Sequence, residues 1–218
     1  MTQEKRVAPY PVSLNLDGAA CLVVGGGTVA LRKIESLLEA GARVTVISPK
    51  MLPEIESLEG IERIKREFRV ADLDGRFLVI SATDDTSVNE AVAHAAKERR
   101  MLVNVVDVPE LCNFYVNSLV RRGDLAISIS TGGASPALAK RIRKELQECY
   151  GEEYAVFLDL MREYRPRIIE RVPDAQARQK VFVELVNSGA ERLIKEKGES
   201  AGREAIETII NRGAAATK

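Results

Sequence analysis

Apolar residues in the first half of this chain recur in two alternating periods. Ala20-Cys21-Leu22-Val23-Val24 is a short continuous apolar run ending in three glycines, the pattern of a strand buried on both faces. Beyond the glycines, Val29, Ala30, Ile34, Leu37 and Leu38 return at helical spacing. Gly41 stops that helix, and Val44-Thr45-Val46-Ile47 supplies a second strand rich in β-branched residues, with Pro49 at its end. Strand, tight turn, helix and strand make a first βαβ unit.

The alternation continues downstream. Ile61-Glu62-Arg63-Ile64 has one polar face and predicts an edge strand, whereas Phe77-Leu78-Val79-Ile80 is apolar throughout and predicts a central one. Asp85 or Thr86 can cap a helix carrying Val88, Ala91, Val92 and Ala95, and Met101 to Val106 is the following strand. Repeated strand and helix predict a parallel sheet covered on both faces.

After Asp107 the pattern changes. Asn113 to Val120 and Leu125 to Ser130 predict a hairpin around Arg121-Arg122-Gly123-Asp124. Pro136 opens a helix with Leu138, Ile142, Leu146 and Cys149 on one face, and Lys140, Arg141, Arg143 and Lys144 elsewhere. From Glu152 onward the chain reads as a charged helical bundle or cap, broken near Pro166, Pro173, Gly198 and Gly202, with a frayed tail from Gly213. The expected architecture is α/β: a Rossmann-type parallel sheet over residues 1–112, a hairpin-helix region for dimerisation and substrate binding over 113–150, and a helical C-terminal region over 151–218. An exposed hairpin edge invites pairing with a second subunit, so a homodimer is expected.

Composition narrows the function classes. The 218 residues suffice for one nucleotide-binding domain and a smaller appendage. No apolar run approaches the roughly 18 residues that cross a membrane. The opening MTQEKRVAPYPVSLNL lacks the apolar core of a secretory signal, so a cytoplasmic protein without membrane attachment is expected. Thirty-two basic and 32 acidic residues cancel, which argues against nucleic acid as a partner. Cys21, Cys112 and Cys149 are scattered, forming neither a disulfide framework nor a metal knuckle. The single histidine, His94, lies mid-helix and excludes any multi-histidine metal site within one chain.

Chemistry concentrates at the strand ends. Gly25-Gly26-Gly27-Thr28-Val29-Ala30 satisfies GxGxxA between a strand and a helix: Gly25 for the turn, Gly27 for approach of a pyrophosphate, Ala30 for close helix packing. The bland alternative is a packing turn that has lost its ligand. Ile47-Ser48-Pro49-Lys50 lacks the acidic residue that usually binds the NAD ribose; Ser48 offers a weaker hydrogen bond, and Lys50 could favour NADP. Asp107 follows an apolar strand, where partial desolvation would make it a better base, though a turn-capping aspartate fits equally well. Thr131-Gly132-Gly133 could form an anion nest or simply a flexible turn before the helix.

Taken together, residues 25–33, Ala82-Thr83-Asp84-Asp85 with Asn89, Asn104-Val105-Val106-Asp107, Cys112-Asn113-Phe114 and residues 130–136 resemble the precorrin-2 dehydrogenase family, the dehydrogenase/ferrochelatase module of sirohaem synthase. The likeness runs from about Leu14 to Cys149. It implies oxidation of precorrin-2 to sirohydrochlorin with NAD⁺ in sirohaem biosynthesis, with ferrous iron insertion as a second activity of some members. Asp107 matches the essential aspartate. Gly25, Gly27, Thr28 and Val29 match the pyrophosphate turn, Ser48 and Pro49 the adenosine-side loop, and Thr83, Asn104 and Val105 the nicotinamide side. The family commonly lacks the acidic residue after the second strand, which favours NAD. Thr131 stands where some relatives carry a serine, and Asn117 where many carry proline. The substrate's eight carboxylates call for basic or N–H-rich walls; Thr131, Gly132, Arg121 and Lys140 are candidates, with Arg32, Lys33, Arg122, Arg141 and Arg143 beside them. A separate chelatase is an expected partner if the chain does not insert iron itself. The competing reading from another class is a non-catalytic NAD-sensing regulator.

Overall fold

The structure is a computed structural model that describes residues 8–215. Residues 1–7, the start of the opening segment read above for a secretory signal, and the last three residues of the expected frayed tail lie outside the described residues. The chain divides into two compact units, the first ending at Val116 and the second beginning at Asn117.

In the first unit, β1 (Ala20–Val24) leads through the glycine turn into α1 (Thr28–Glu39) and then β2 (Arg43–Ile47). A short helix, α2 (Pro53–Ser57), precedes β3 (Ile61–Ile64), and β4 (Leu78–Ser81), α3 (Thr86–Glu98) and β5 (Leu102–Val105) complete the unit. The strands form one parallel sheet in the order β3-β2-β1-β4-β5. The two-residue period of a strand sorts its side chains between two cores. Cys21 and Val23 of β1 join Ala30, Ile34 and Leu37 of α1, while Leu22 and Val24 join Val92, Ala93 and Ala96 of α3. A strand feeding both cores has no face left for polar residues, hence the continuous apolar run. β3 lies at the sheet edge, as its polar face predicts.

Three local readings are corrected. The buried face of α3 is Asn89, Val92, Ala93, Ala95 and Ala96, and Ala91 is exposed. Asn113 and Phe114 do not begin the hairpin. Asn113 runs along the outer edge of β5: its N–H donates to the Val103 carbonyl, its Oδ1 accepts from the Val103 N–H at 2.8 Å, and its Nδ2 donates to the Met101 carbonyl at 2.7 Å. One side chain thus satisfies backbone groups that a bare edge would leave open.

The second unit starts with the antiparallel hairpin β6 (Ser118–Arg122) and β7 (Leu125–Ile129), with Val120 opposite Ile127. Val120 is buried, and α4 (Pro136–Cys149) packs on both strands, capped by the Ser135 hydroxyl, which accepts from the Leu138 N–H. The remaining helices are α5 (Glu153–Arg171), α6 (Ala175–Val186), α7 (Ala190–Lys197) and α8 (Glu199–Ala215). They enclose a core that includes Leu160, Tyr164, Ile168, Leu185, Ile206 and Ile210.

The third correction concerns the breaks in this bundle. α5 continues through Pro166, because Leu160, Tyr164 and Ile168 bury one stripe on both sides of it. That burial offsets the hydrogen bond the proline cannot donate. Gly202 sits inside α8, where a Cβ would overlap Ile194 of α7, so it is a close-packing residue and no break. The chain does turn near Pro173 and at Gly198, as expected, and also at Gly189. No helix among the described residues is long and apolar enough to cross a membrane.

Candidate functional site

The strand order places the carboxyl ends of β1 and β4 side by side, with the chain leaving them toward helices that return to different parts of the sheet. Such a switch point opens the crevice in which doubly wound sheets bind nucleotides. Gly25 sits at its floor. Its N–H donates to the Ile47 carbonyl, its φ is +123°, and a Cβ there would overlap the Ala82 carbonyl. Gly26 is similarly tight against the Lys50 backbone, and its carbonyl accepts from the Leu52 N–H. Gly27 differs: it is an ordinary extended residue with φ −92°, and a Cβ would meet nothing within 4 Å. It immediately precedes α1, whose first turn has neither a side-chain cap nor an acidic residue. The open space at Gly27 therefore faces backbone N–H groups without helical carbonyl partners and the positive end of the α1 dipole. A pyrophosphate fits that cradle, with Thr28 and Val29 supplying the next N–H groups.

Ser48 is buried beside the turn, but its hydroxyl donates to the Lys50 carbonyl at 2.6 Å. Its proton braces the loop after β2 rather than being offered to a ribose; Pro49 and Lys50 are exposed next to it.

Past β4, Thr83 Oγ1 accepts from the Asp85 N–H at 3.2 Å. Asp85 caps α3, accepting from the Ser87 and Val88 N–H groups, and the Ser87 hydroxyl beside it draws its carboxyl below the usual range. Sequence reasoning missed what holds this loop. Buried Asn89 accepts from the Ser81 hydroxyl at 2.7 Å and donates to the Thr83 carbonyl at 3.0 Å, tying the strand end to the helix. The signal was available: Asn89, Val92, Ala93 and Ala96 share one helical stripe, and a polar residue on a buried stripe needs partners.

At β5, Asn104 is buried and its Nδ2 donates to the Phe114 carbonyl at 3.0 Å. Val105 is buried, with the Cys112 sulfur 3.2 Å from both its nitrogen and its oxygen. Burial pushes the Cys112 thiol up, which keeps it protonated as a packing group. Asp107 comes two residues later with φ +62°, the left-handed region that costs a non-glycine residue about 1 kcal/mol or more. It is exposed, so the expected desolvation is not provided by this chain alone. Lys33, on α1, is half-buried; burial and neighbouring Arg32 push its ammonium below the usual lysine range, and attraction to Asp107 opposes them.

Gly25, Gly27, Thr28, Val29, Ser48, Pro49, Thr83, Asn104, Val105 and Asp107 thus share the carboxyl edge of one sheet. Thr131, Gly132, Arg121 and Lys140 belong to the second unit. There Gly132 N–H donates to the Ser130 hydroxyl, Ala134 N–H to the Thr131 carbonyl and Ser135 N–H to Thr131 Oγ1. These N–H groups are turned inward, the arrangement of a braced turn more than of an anion nest. Arg121 and Lys140 are exposed, whereas Arg122 closes the end of α4 by donating to the Tyr150 and Gln147 carbonyls. His94 is exposed beside Glu98, and Cys21 is fully buried with its thiol pushed up to about 11.

Residues 12–118 match a family model described as putative NAD(P)-binding, and residues 122–148 one described as sirohaem biosynthesis protein central. With the glycine cradle, this makes the first unit an NAD(P)-binding domain. The siroheme synthase of Thioalkalivibrio sulfidiphilus is 41% identical over 207 residues, covering 94% of this chain and 42% of that protein. That of Nitrosococcus oceani is 40% identical over 205 residues, covering 90% and 44%. The chain therefore spans less than half the length of these curated relatives. A solved structure titled SirC, precorrin-2 dehydrogenase, is 30% identical, covers 93% of this chain and 100% of its own, and superposes with a TM-score of 0.74.

Proposed function

We propose, from the premise that this chain belongs to the precorrin-2 dehydrogenase family of sirohaem synthesis, that it oxidises precorrin-2 to sirohydrochlorin with NAD⁺. The observation that carries this reading is the placement of Asp107: an exposed carboxylate in a left-handed backbone conformation, on the same sheet edge as the open glycine cradle. Strained polar residues beside a cofactor crevice are where catalytic groups concentrate.

The reaction removes two hydrogens from the substrate, one as hydride and one as proton. NAD⁺ supplies the hydride acceptor. The turn at Gly25 and Gly27 and the N–H groups of Thr28 and Val29 hold its pyrophosphate; Ser48 and Pro49 line the adenosine side, and Thr83, Asn104 and Val105 the nicotinamide side. Since the Asn104 amide is committed to the Phe114 carbonyl, its contribution is to hold the β5 end rigid. Asp107 takes the proton that the macrocycle loses along with the hydride, and docking of the macrocycle desolvates the carboxylate and strengthens it as a base. Arg121 and Lys140, with the Thr131-Gly132 turn, meet the substrate carboxylates. NAD is assigned over NADP from the family likeness. A homodimer acting in the cytoplasm completes the reading.

The test is an anaerobic assay of precorrin-2 with NAD⁺ and NADP⁺ in parallel, wild type beside Asp107→Ala. Sirohydrochlorin and NADH formed in equal amounts, faster with NAD⁺ and lost in the variant, is the expected result. Tight NAD⁺ binding without turnover would instead make the protein a nucleotide sensor. Ferrous iron added after sirohydrochlorin has formed reports chelation: enzyme-dependent sirohaem above the metal-only background marks a bifunctional enzyme, and its absence leaves that step to a separate chelatase.

A further inference from the structure

We propose that Cys112 is a positioning residue for Asp107: its thiol joins the two ends of the turn that carries the aspartate and so fixes where the carboxylate stands at the sheet edge. The proposal rests on the reading of Asp107 as the base.

β5 is the last strand of its sheet, so its outward backbone groups meet no neighbouring strand. The segment Cys112-Asn113-Phe114 meets them instead. Asn113 holds the Val103 N–H, and the Phe114 carbonyl accepts from the Asn104 amide. Cys112 acts two residues further along the strand, where its Sγ accepts from the Val105 N–H at 3.2 Å. The same sulfur lies 3.2 Å from the Val105 carbonyl and 3.3 Å from the Val108 carbonyl. A thiol has one proton, so it donates to one of these carbonyls at a time while accepting from the N–H. Burial keeps that proton on the sulfur.

Val105 and Val108 are the first and last residues of a tight turn, closed by the Val108 N–H donating to the Val105 carbonyl at 3.3 Å. Asp107 is its third residue, with φ +62°, a position where glycine or asparagine is the ordinary choice. An aspartate is held there against its own preference, by a closing bond at the long end of hydrogen-bonding distance. Such a turn needs support from outside, and the Cys112 sulfur bonds both of its ends. The arm that returns the sulfur is fixed in turn: the Leu111 N–H donates to the Val108 carbonyl and Lys97 Nζ of α3 to the Glu110 carbonyl, each at 3.1 Å.

A small apolar residue could occupy the same place, since Cys112 also packs against the cluster of Leu22, Val24 and Val105. Two substitutions separate packing from hydrogen bonding. Cys112→Val fills the space and deletes donor and acceptor; Cys112→Ser keeps both on a smaller, more polar atom. Positioning predicts that kcat and kcat/KM fall together in Cys112→Val, by about ten- to hundredfold, because an aspartate displaced by an ångström loses an interaction made only in the transition state. The Kd for NAD⁺ stays unchanged, and Cys112→Ser recovers most of the lost kcat even where it melts at the lower temperature. The reverse order, with wild-type kcat in Cys112→Val and the loss in Cys112→Ser, makes Cys112 a packing residue and overturns the proposal. Amide hydrogen exchange reads the turn without turnover: the Val105 and Val108 N–H groups exchange about two- to tenfold faster in Cys112→Val and at wild-type rates in Cys112→Ser. Unchanged exchange in Cys112→Val, with wild type active, overturns this proposal alone. Wild type inactive toward precorrin-2 overturns Asp107 as the base and the positioning role with it, whatever the exchange shows. A cooperative melt qualifies each variant as folded, and Cys112→Ala replaces Cys112→Val if the branched side chain unfolds the protein.

Discussion

Gly25 and Gly27 stand two residues apart in one turn, and the structure assigns them opposite sensitivities. An alanine at Gly25 must adopt φ +123° and place its methyl in the Ala82 carbonyl. Strain of about 1–3 kcal/mol, together with displacement of a central strand end, puts the loss of stability at about 3 kcal/mol or more. An alanine at Gly27 keeps an ordinary φ of −92° and touches nothing in the protein. It reduces the freedom of the unfolded chain, so stability is unchanged or rises by up to about 1 kcal/mol. Its methyl projects into the open space at the uncapped start of α1, where the proposed pyrophosphate would approach. Losing one charge-assisted hydrogen bond and close contact there costs about 1.5–3 kcal/mol, about a ten- to hundredfold rise in Kd. Circular dichroism melts and calorimetric titration with NAD⁺ and NADH measure the two quantities. A Gly27→Ala protein that melts like wild type and binds NAD⁺ with unchanged Kd would refute the placement of the pyrophosphate over Gly27. Equal melting of Gly25→Ala and wild type would refute the packing argument for the turn.

Four further outcomes are expected. Asp107→Gly relieves the left-handed backbone and is at least as stable as wild type, by up to about 1 kcal/mol, while turnover falls at least about a hundredfold; a less stable but active variant would contradict both assignments. Asn89→Ala leaves the buried Ser81 hydroxyl and the Thr83 carbonyl without their partner and costs about 1–3 kcal/mol, read by denaturant unfolding; a cost below about 0.5 kcal/mol would remove Asn89 as the latch between β4 and α3. Cys21, with its thiol raised by burial, holds more protons folded than unfolded between about pH 9 and about 11. Its contribution to stability is therefore full below about pH 9 and lost as pH rises through about 11, so Cys21→Ala flattens the alkaline fall in a melting series. In native protein a disulfide reagent at pH 8 labels exposed Cys149 first, and rapid labelling of Cys21 would show that β1 is not the core strand described.

The elements that sequence periodicity revealed are those in which one local rule suffices. The central strands β1 and β4 are buried on both faces and therefore almost wholly apolar, and Gly25 to Ala30 carries its own backbone requirements. Pro166 and Gly202 show where such rules yield: a proline stays within α5 because the stripe from Leu160 to Ile168 is buried on either side of it, and a glycine stays within α8 because Ile194 occupies the space of a side chain. Propensity is worth a few kcal/mol at most at one position, and a packed helix face outweighs it.

The sequence by itself determined the alternation of strand and helix, the glycine turn leading into α1, and the candidacy of Asp107. These follow from spacing along the chain and from what each residue type permits the backbone. Only tertiary structure decided that the Ser48 proton is taken by the Lys50 carbonyl, that Asn104 and Asn113 hold the edge of β5, and that Asp107 is exposed with a left-handed backbone. Hydrogen-bond partners and electrostatic neighbours depend on distances of a few ångströms between segments far apart in the chain, and no one-dimensional pattern encodes those distances.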